Sequence, residues 1–323
     1  MTENATLRPA AAPLTIALLV LAEASILQVA STLDPLRNAN RQLGYEAFRW
    51  RVVSRDGGPV PLTCGLSLPS SGPLRAAAGA DALFIVAGFH QDEVAPPALI
   101  RDLSRMASGF ALIGGVDAGP WIMARAGLLD GHRATVHWED LEDLAARHPA
   151  IEVLPDRYVI DGGRVTIGGA GPAADFMLHL IRCRHGAPLA RQVAMSFQTI
   201  QTPGSVPQVA SPRSEPGLDP RVAAAAARME ARIDTPETAA ATARAVGLSP
   251  RRLEKLFRAA FGTTPGAYAL DLRLQAARRL LTDTRHPLVE VALRTGFTGP
   301  ATLSRAFRNA FGTSPGSLRR PRP

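Results

Sequence analysis

The sequence predicts two domains: a parallel α/β sheet with helices on both faces, then an all-α domain made of two helix-turn-helix units. Three observations predict this. Short apolar runs alternate with amphipathic stretches over residues 13–200, as expected of strands buried on both faces between crossover helices. A stretch rich in proline, glycine and serine follows at residues 201–220 and reads as a partly extended linker. Behind it, over residues 221–323, a thirteen-residue phrase occurs twice, fifty residues apart: LFRAAFGTTPGAY from Leu256 and AFRNAFGTSPGSL from Ala306. Repetition of a supersecondary unit means two similar modules.

The front domain is read element by element. Residues 1–12 are expected to form a disordered tail. The run LTIALLVLA at 14–22 could pass for the core of a secretion signal, but Glu23 ends it. Nine apolar residues cannot cross a bilayer, so a buried first strand is expected and no membrane association. Strands are predicted at 14–20, 48–54, 82–87, 110–116 and 135–138. Helices are predicted at 25–42, 97–107, 120–129, 141–148 and 173–185. Ligands of such sheets bind beyond the carboxyl ends of the strands. That directs attention to ALIGGVDAG at 111–119, where a buried strand runs into a helix beginning at Pro120. Glycines around a central residue permit the sharp elbow that presents a nucleophile in some folds. Here the central residue is Asp117, which could cap the following helix or contact a ligand; the sequence leaves both open. Cys64 and Cys183 have no metal or disulfide spacing, which suits a reducing cytoplasm, and neither a cofactor nor a metal is expected.

In the rear domain each phrase is preceded by a short helix, a glycine (Gly247, Gly296) and a second helix with its own start signal. Ser249-Pro250 places a capping hydroxyl before a first-turn proline, and Thr298-Gly299-Pro300 is expected to do the same. Helix, tight turn, helix is the helix-turn-helix of DNA-binding proteins. Leu253, Leu256 and Phe257 mark the buried face of one second helix; Leu303 and Phe307 mark the other. Residues 268–283 read as one amphipathic connecting helix, while 239–243 is poor in large side chains, so its helix is expected to pack thinly. Residues 219–323 carry 18 Arg and Lys against 8 Asp and Glu, a net +10, leaving −2 on residues 1–218 of the total +8. The positive excess therefore lies wholly on the repeat-bearing part, as phosphate binding requires.

GLSPRRLEKLFRAAFGTTP, RLQAARRLL and GFTGPATLSRAFRNAFGTSP together resemble the AraC/XylS family of bacterial transcription regulators. The resemblance covers roughly the last hundred residues. It implies that two second helices enter adjacent major grooves of double-stranded promoter DNA. Carried over, the reading positions are Arg251, Arg252, Glu254 and Lys255, then Ala301, Ser304 and Arg305. Gly299 and Pro300 stand where polar residues are common, and Ala301 cannot hydrogen-bond. The second module is thus expected to read less sequence than the first.

The front domain resembles the PfpI branch of the class I glutamine-amidotransferase-like superfamily, a flavodoxin-like fold in which the elbow residue is cysteine. Asp117 occupies that place and Ala118 follows it, where catalytic members have histidine. Without a thiolate the usual chemistry is lost, which implies a binding pocket and not an enzyme. The whole chain resembles the GlxA group of regulators through LDPLRNANR, FRWRVVSRDGGPV, DALFIVAGF, GGVDAGPWIMARAGLLDGHRATVHWE and DFMLHLI. Members that bind amino acids or quaternary amines such as carnitine and glycine betaine share this elbow and a following HWE. The resemblance implies a small-molecule effector at Asp117, His137, Trp138 and Glu139, with Asn40 and Glu23 as further candidates. Trp138 offers a π face and the acids offer charge to a cation. His137 also fits a core histidine, and Trp138 and Glu139 fit a surface turn. The expected protein is a cytoplasmic regulator, dimeric through its front domain, with RNA polymerase as a further contact. The alternative is an amidase or other hydrolase with a DNA-binding appendage.

Overall fold

The computed structural model of the chain describes residues 5–10, 12–208, 218–284 and 286–319. The chain divides into two compact units, Met1–Val209 and Ala210–Pro323.

The strands of the first unit are β1 (Leu14–Val20), β2 (Phe48–Val53), β3 (Val60–Pro61), β4 (Ser67–Leu68), β5 (Ala82–Ala87), β6 (Leu112–Asp117), β7 (Arg133–Ala134), β8 (Glu152–Val153), β9 (Tyr158–Asp161) and β10 (Arg164–Ile167). Its helices are α1 (Ile26–Leu43), α2 (Gln91–Val94), α3 (Pro97–Met106), α4 (Gly119–Arg125), α5 (Leu141–Arg147), α6 (Ala170–His185) and α7 (Ala187–Ser196). Six strands form one sheet in the order β2-β1-β5-β6-β10-β9. All neighbours are parallel except β9, which runs antiparallel to β10. Side-chain alternation sorts β1 cleanly. Ile16, Leu18 and Val20 join a core with Leu36, Phe176, Ile181 and Val193 from α1, α6 and α7. Ala17 and Leu19 join the opposite core with Leu103, Ile122 and Leu144 from α3, α4 and α5. Both faces are covered, which is why the strands read as continuous apolar runs.

The structure departs from expectation at several places. No strand forms over 135–138. The amide of Thr135 donates to Thr166 Oγ1 (2.8 Å) and its hydroxyl donates to the Asp156 carbonyl (2.9 Å). These bonds replace a ladder, and Trp138–Asp140 closes into a 3-10 turn. The helix expected over 120–129 ends at Arg125, ahead of Gly127 at φ 69°. The β9–β10 hairpin and α7 were not expected. Within the expected tail, residues 1–4 and 11 lie outside the described residues, and Arg184 donates to the carbonyl of Thr6 at 3.1 Å. Within the expected linker, residues 209–217 lie outside the described residues. Residues 201–208 are bonded to the first unit: Arg157 N donates to the carbonyls of Gly204 (2.8 Å) and Val206 (3.1 Å).

The second unit is all helical: α8 (Pro220–Glu230), α9 (Ala239–Ala245), α10 (Pro250–Phe261), α11 (Pro265–Asp283), α12 (Leu288–Arg294) and α13 (Pro300–Phe311). The repeated phrase explains itself. Gly262 (φ 68°) and Gly312 (φ 71°) end α10 and α13 in the left-handed conformation, each amide returning to the carbonyl of Arg258 or Arg308. Two separate cores follow. Phe257 and Leu253 pack with Ala243 and with Val222, Ala226 and Met229 of α8; Phe307 and Leu303 pack with Val291 and Leu281. Thus α8, absent from the sequence reading, fills what α9 with its small residues leaves open. Ser249 caps α10 by accepting from Arg252 N (3.3 Å). The expected counterpart at Thr298 does not form: Gly299 is the N-cap of α13 and no side chain caps it. The hydroxyl of Thr298 lies instead 3.0 Å from that of Thr302.

Candidate ligand hollow and nucleic-acid interface

The elbow is built by close packing. A Cβ on Gly115 would lie 2.6 Å from the carbonyl carbon of Gly119, and one on Gly119 would lie 2.2 Å from the Ile85 carbonyl oxygen. Only glycine lets β6 turn into α4 against β5 at this separation. Asp117, between them, is held at φ 62°, a conformation that non-glycine residues adopt where surroundings force it, often at functional sites. Its carboxylate does not cap α4, whose N-cap, Ala118, supplies no side-chain bond. Asp117 Oδ2 instead accepts from Gln28 Nε2 at 2.7 Å. Gln28 is itself fixed by the capping box of α1, its Oε1 accepting from Ser25 N at 2.9 Å. Burial pushes the Asp117 carboxyl up to about 6; the charge of His137 and the Gln28 bond oppose this, and the carboxylates of Asp140 and Glu139 add to it.

Asp117 faces a hollow of about 300 Å³ lined by Ser25, Gln28, His137, Trp138, the run Gly168 to Pro172, and Gln208. His137 and Trp138 stand beside each other, ring centroids 5.9 Å apart, and Trp138 is 46% exposed. Glu139 is outside the lining; its Oε2 lies 3.7 Å from His137 Nδ1. The structure thus brings Asp117, His137 and Trp138 together, with Glu139 behind them. It does not bring Asn40 or Glu23. The Asn40 amide clamps the start of β2, donating to the Phe48 carbonyl (2.7 Å) and accepting from the amides of Ala47 and Phe48 (both 2.9 Å). Glu23 pairs with His90 Nδ1. Sequence reasoning missed Ser25, Gln28, the glycine run and Gln208. Two signals were present: S-x-x-Q at 25–28 and the glycine-rich strand-to-helix turn IGGAGP at 167–172. Gln208 had none. Neither cysteine lines the hollow, and among the described residues no cluster of three metal-ligating side chains occurs.

In the second unit, Arg251, Arg252, Glu254 and Lys255 are exposed on the first turns of α10, while Leu253 and Phe257 are buried. Ala301 and Arg305 are exposed on α13, and Ser304 is half-buried. Glu254 is engaged by Arg258, Oε1 to Nη2 at 2.9 Å. Arg273 of α11 donates to the carbonyls of Thr295 and Gly296 (both 2.8 Å), fixing the turn between α12 and α13.

An α/β unit with a thiol-free elbow, joined to two helix-turn-helix units that turn their arginines outward, defines a DNA-binding transcription regulator. Both parts match known families: the DJ-1/PfpI family over residues 15–183 and a helix-turn-helix domain over residues 242–321. The HTH-type transcriptional regulator CdhR of Pseudomonas aeruginosa is 36% identical over 86% of this chain and 83% of its own. The HTH-type transcriptional regulator GlxA of Rhizobium meliloti is 34% identical over 92% of both chains. A crystal structure of an AraC family transcriptional regulator from Pseudomonas putida is 27% identical, with a TM-score of 0.51, over 57% of this chain and 100% of that one. The chain belongs to the DJ-1/PfpI family, in the form that carries a C-terminal AraC-type helix-turn-helix domain. It is a regulator and not an enzyme. Among the described residues no helix is long and apolar enough to cross a membrane.

Proposed function

We propose that the first unit senses a small zwitterion, an amino acid or a quaternary amine with a carboxylate, and that this controls promoter binding by the second unit. The observation that carries the reading is the Asp117 carboxylate aimed into the hollow from a strained elbow with no thiol beside it. An ammonium group placed there meets the carboxylate and the face of Trp138. In the same hollow begins α6, sixteen residues long, whose first turn no side chain caps. Its positive end favours a carboxylate. The hollow thus offers one group for each charge of a zwitterion. Glu139, through His137, sets the charge around the cation.

DNA reading falls to Arg251, Arg252, Glu254 and Lys255 of α10 and to Ala301, Ser304 and Arg305 of α13. Arginine pairs bidentately with guanine, whereas Ala301 offers only a methyl group. A homodimer formed through the first unit would present paired half-sites, and the regulator would act in the cytoplasm with RNA polymerase as its output.

A thermal-shift panel of amino acids, glycine betaine, L-carnitine and choline tests the sensing. A zwitterion that binds should raise the melting temperature of the wild type but not of Asp117→Ala. A wild type that responds to none of them overturns the sensory role.

A further inference from the structure

Gln208 is the last described residue before the stretch that leads into the second unit, and it is built into the hollow. Its Nε2 donates to the Val136 carbonyl (2.7 Å), Thr135 Oγ1 (2.9 Å) and the Asp156 carbonyl (3.0 Å). Two protons are thus shared among three oxygens. Val136 directly precedes His137, so the amide braces the turn that carries His137 and Trp138. Its Oε1 accepts no hydrogen bond among the described residues. Gly168 makes room for this group: a Cβ there would lie 2.1 Å from the Gln208 side-chain carbon and oxygen. The backbone behind it is docked as a strap. Gln208 N donates to the Pro155 carbonyl (3.1 Å), Thr202 N donates to Asp175 Oδ1 (2.8 Å), and Gly204 lies so close to Tyr158 that a Cβ would be 2.7 Å from the ring.

We propose that Gln208 is an effector-reading residue, carried into the hollow by the chain segment that continues to the DNA-binding unit. Occupancy of the hollow then fixes or releases that segment directly, with no relay through the sheet. A bound ammonium group would meet the Gln208 carbonyl oxygen as a second oxygen beside Asp117. The amide cannot shift toward a ligand without loosening its hold on Val136 and Asp156, so effector and strap compete for or share one side chain. This rests on the sensory reading of the hollow.

Amide hydrogen exchange on the full-length protein tests it, with glycine betaine and L-carnitine as probes. Gly168→Ala should expel the Gln208 amide, and Gln208→Ala removes it. Without ligand both should speed exchange at the amides of Arg157, Thr202 and Gln208 by ~10-fold, the effect of losing one or two hydrogen bonds. Amides of β1 and β5 should be unchanged, which separates undocking of the strap from unfolding. A probe that binds the wild type should alter exchange in the strap, and Gln208→Ala should bind it ~10-fold more weakly. Strap exchange identical in wild type and both variants overturns the inference. So does probe binding that Gln208→Ala leaves intact, with the sensory reading still standing. If the wild type binds no probe, the sensory reading fails and this inference falls with it.

Discussion

At the scale of single residues, Asp117 concentrates the chemistry of the first unit. Its carboxyl, pushed from 3.8 to about 6 by burial, keeps a proton in the folded chain that the unfolded chain has already released. Stability therefore falls as pH rises from about 4 to 6 and stays lowered above that window. Asp117→Asn removes the loss. Urea unfolding should show no gain near pH 4 and a gain of up to about 3 kcal/mol at pH 7.5, the worth of roughly two pKa units. Ligand binding should respond with the opposite sign. If the effector is a cation, wild-type affinity for glycine betaine rises with pH through about 6 as the carboxylate forms, and titration calorimetry on Asp117→Asn should show a flat profile. Asp117 could be found from sequence because glycines on both sides of one acid mark an elbow. Asn40 and Glu23 looked equally polar and equally near the first strand. What separates them is which neighbours use their side chains: two backbone amides and a carbonyl hold the one, and His90 holds the other.

At the scale of elements, caps and close approaches decide where helices start. Ser249 accepts from Arg252 N, whereas α13 begins at an uncapped Gly299. Ser249→Ala should cost about 1 kcal/mol and Thr298→Ala only a few tenths, read from amide exchange in α10 and α13 respectively. The two cores of the second unit share no buried residue, so each substitution should leave the other module's exchange unchanged. At the elbow, Gly119→Ala drives a methyl group into the Ile85 carbonyl. Overpacking of this kind costs about 1–3 kcal/mol and should abolish any ligand response as Asp117 is displaced, both measurable in one thermal-shift titration. The predicted strand at 135–138 shows what periodicity alone misses. The β-branched Thr135 and Val136 suit a strand, but Thr135 spends its amide and hydroxyl on Thr166 and Asp156 instead.

At the scale of the molecule, the division of charge sets the partner. A net +10 on residues 219–323 against −2 on the rest puts the positive excess that attracts phosphate on the second unit. Affinity for a promoter fragment, followed by fluorescence anisotropy of the full chain, should fall steeply with salt, by ~10³ between 50 and 200 mM if about six phosphates are contacted. Removing Arg251 or Arg305 alone should cost about 1–3 kcal/mol and relax specificity at one position. Removing both should abolish discrimination between the site and random DNA, leaving the salt-sensitive non-specific binding in place. Equal affinity of the double variant for its site would exclude α10 and α13 as the reading elements.

The sequence by itself determined the two-unit plan, the repeated helix-turn-helix and the elbow at Asp117. Each is written in local signals: residue spacing, caps, glycines and the sign of charge along the chain. Only the tertiary structure decided that Gln28 holds the carboxylate, that α8 completes the first helical core, and that residues 201–208 lie against the first unit with Gln208 in the hollow. These depend on contacts between residues 89 apart in the case of Gln28 and Asp117, and 73 apart in the case of Gln208 and Thr135. Hydrogen bonds over such separations leave no periodicity, because nothing in the local chain changes when a side chain finds its partner across the fold.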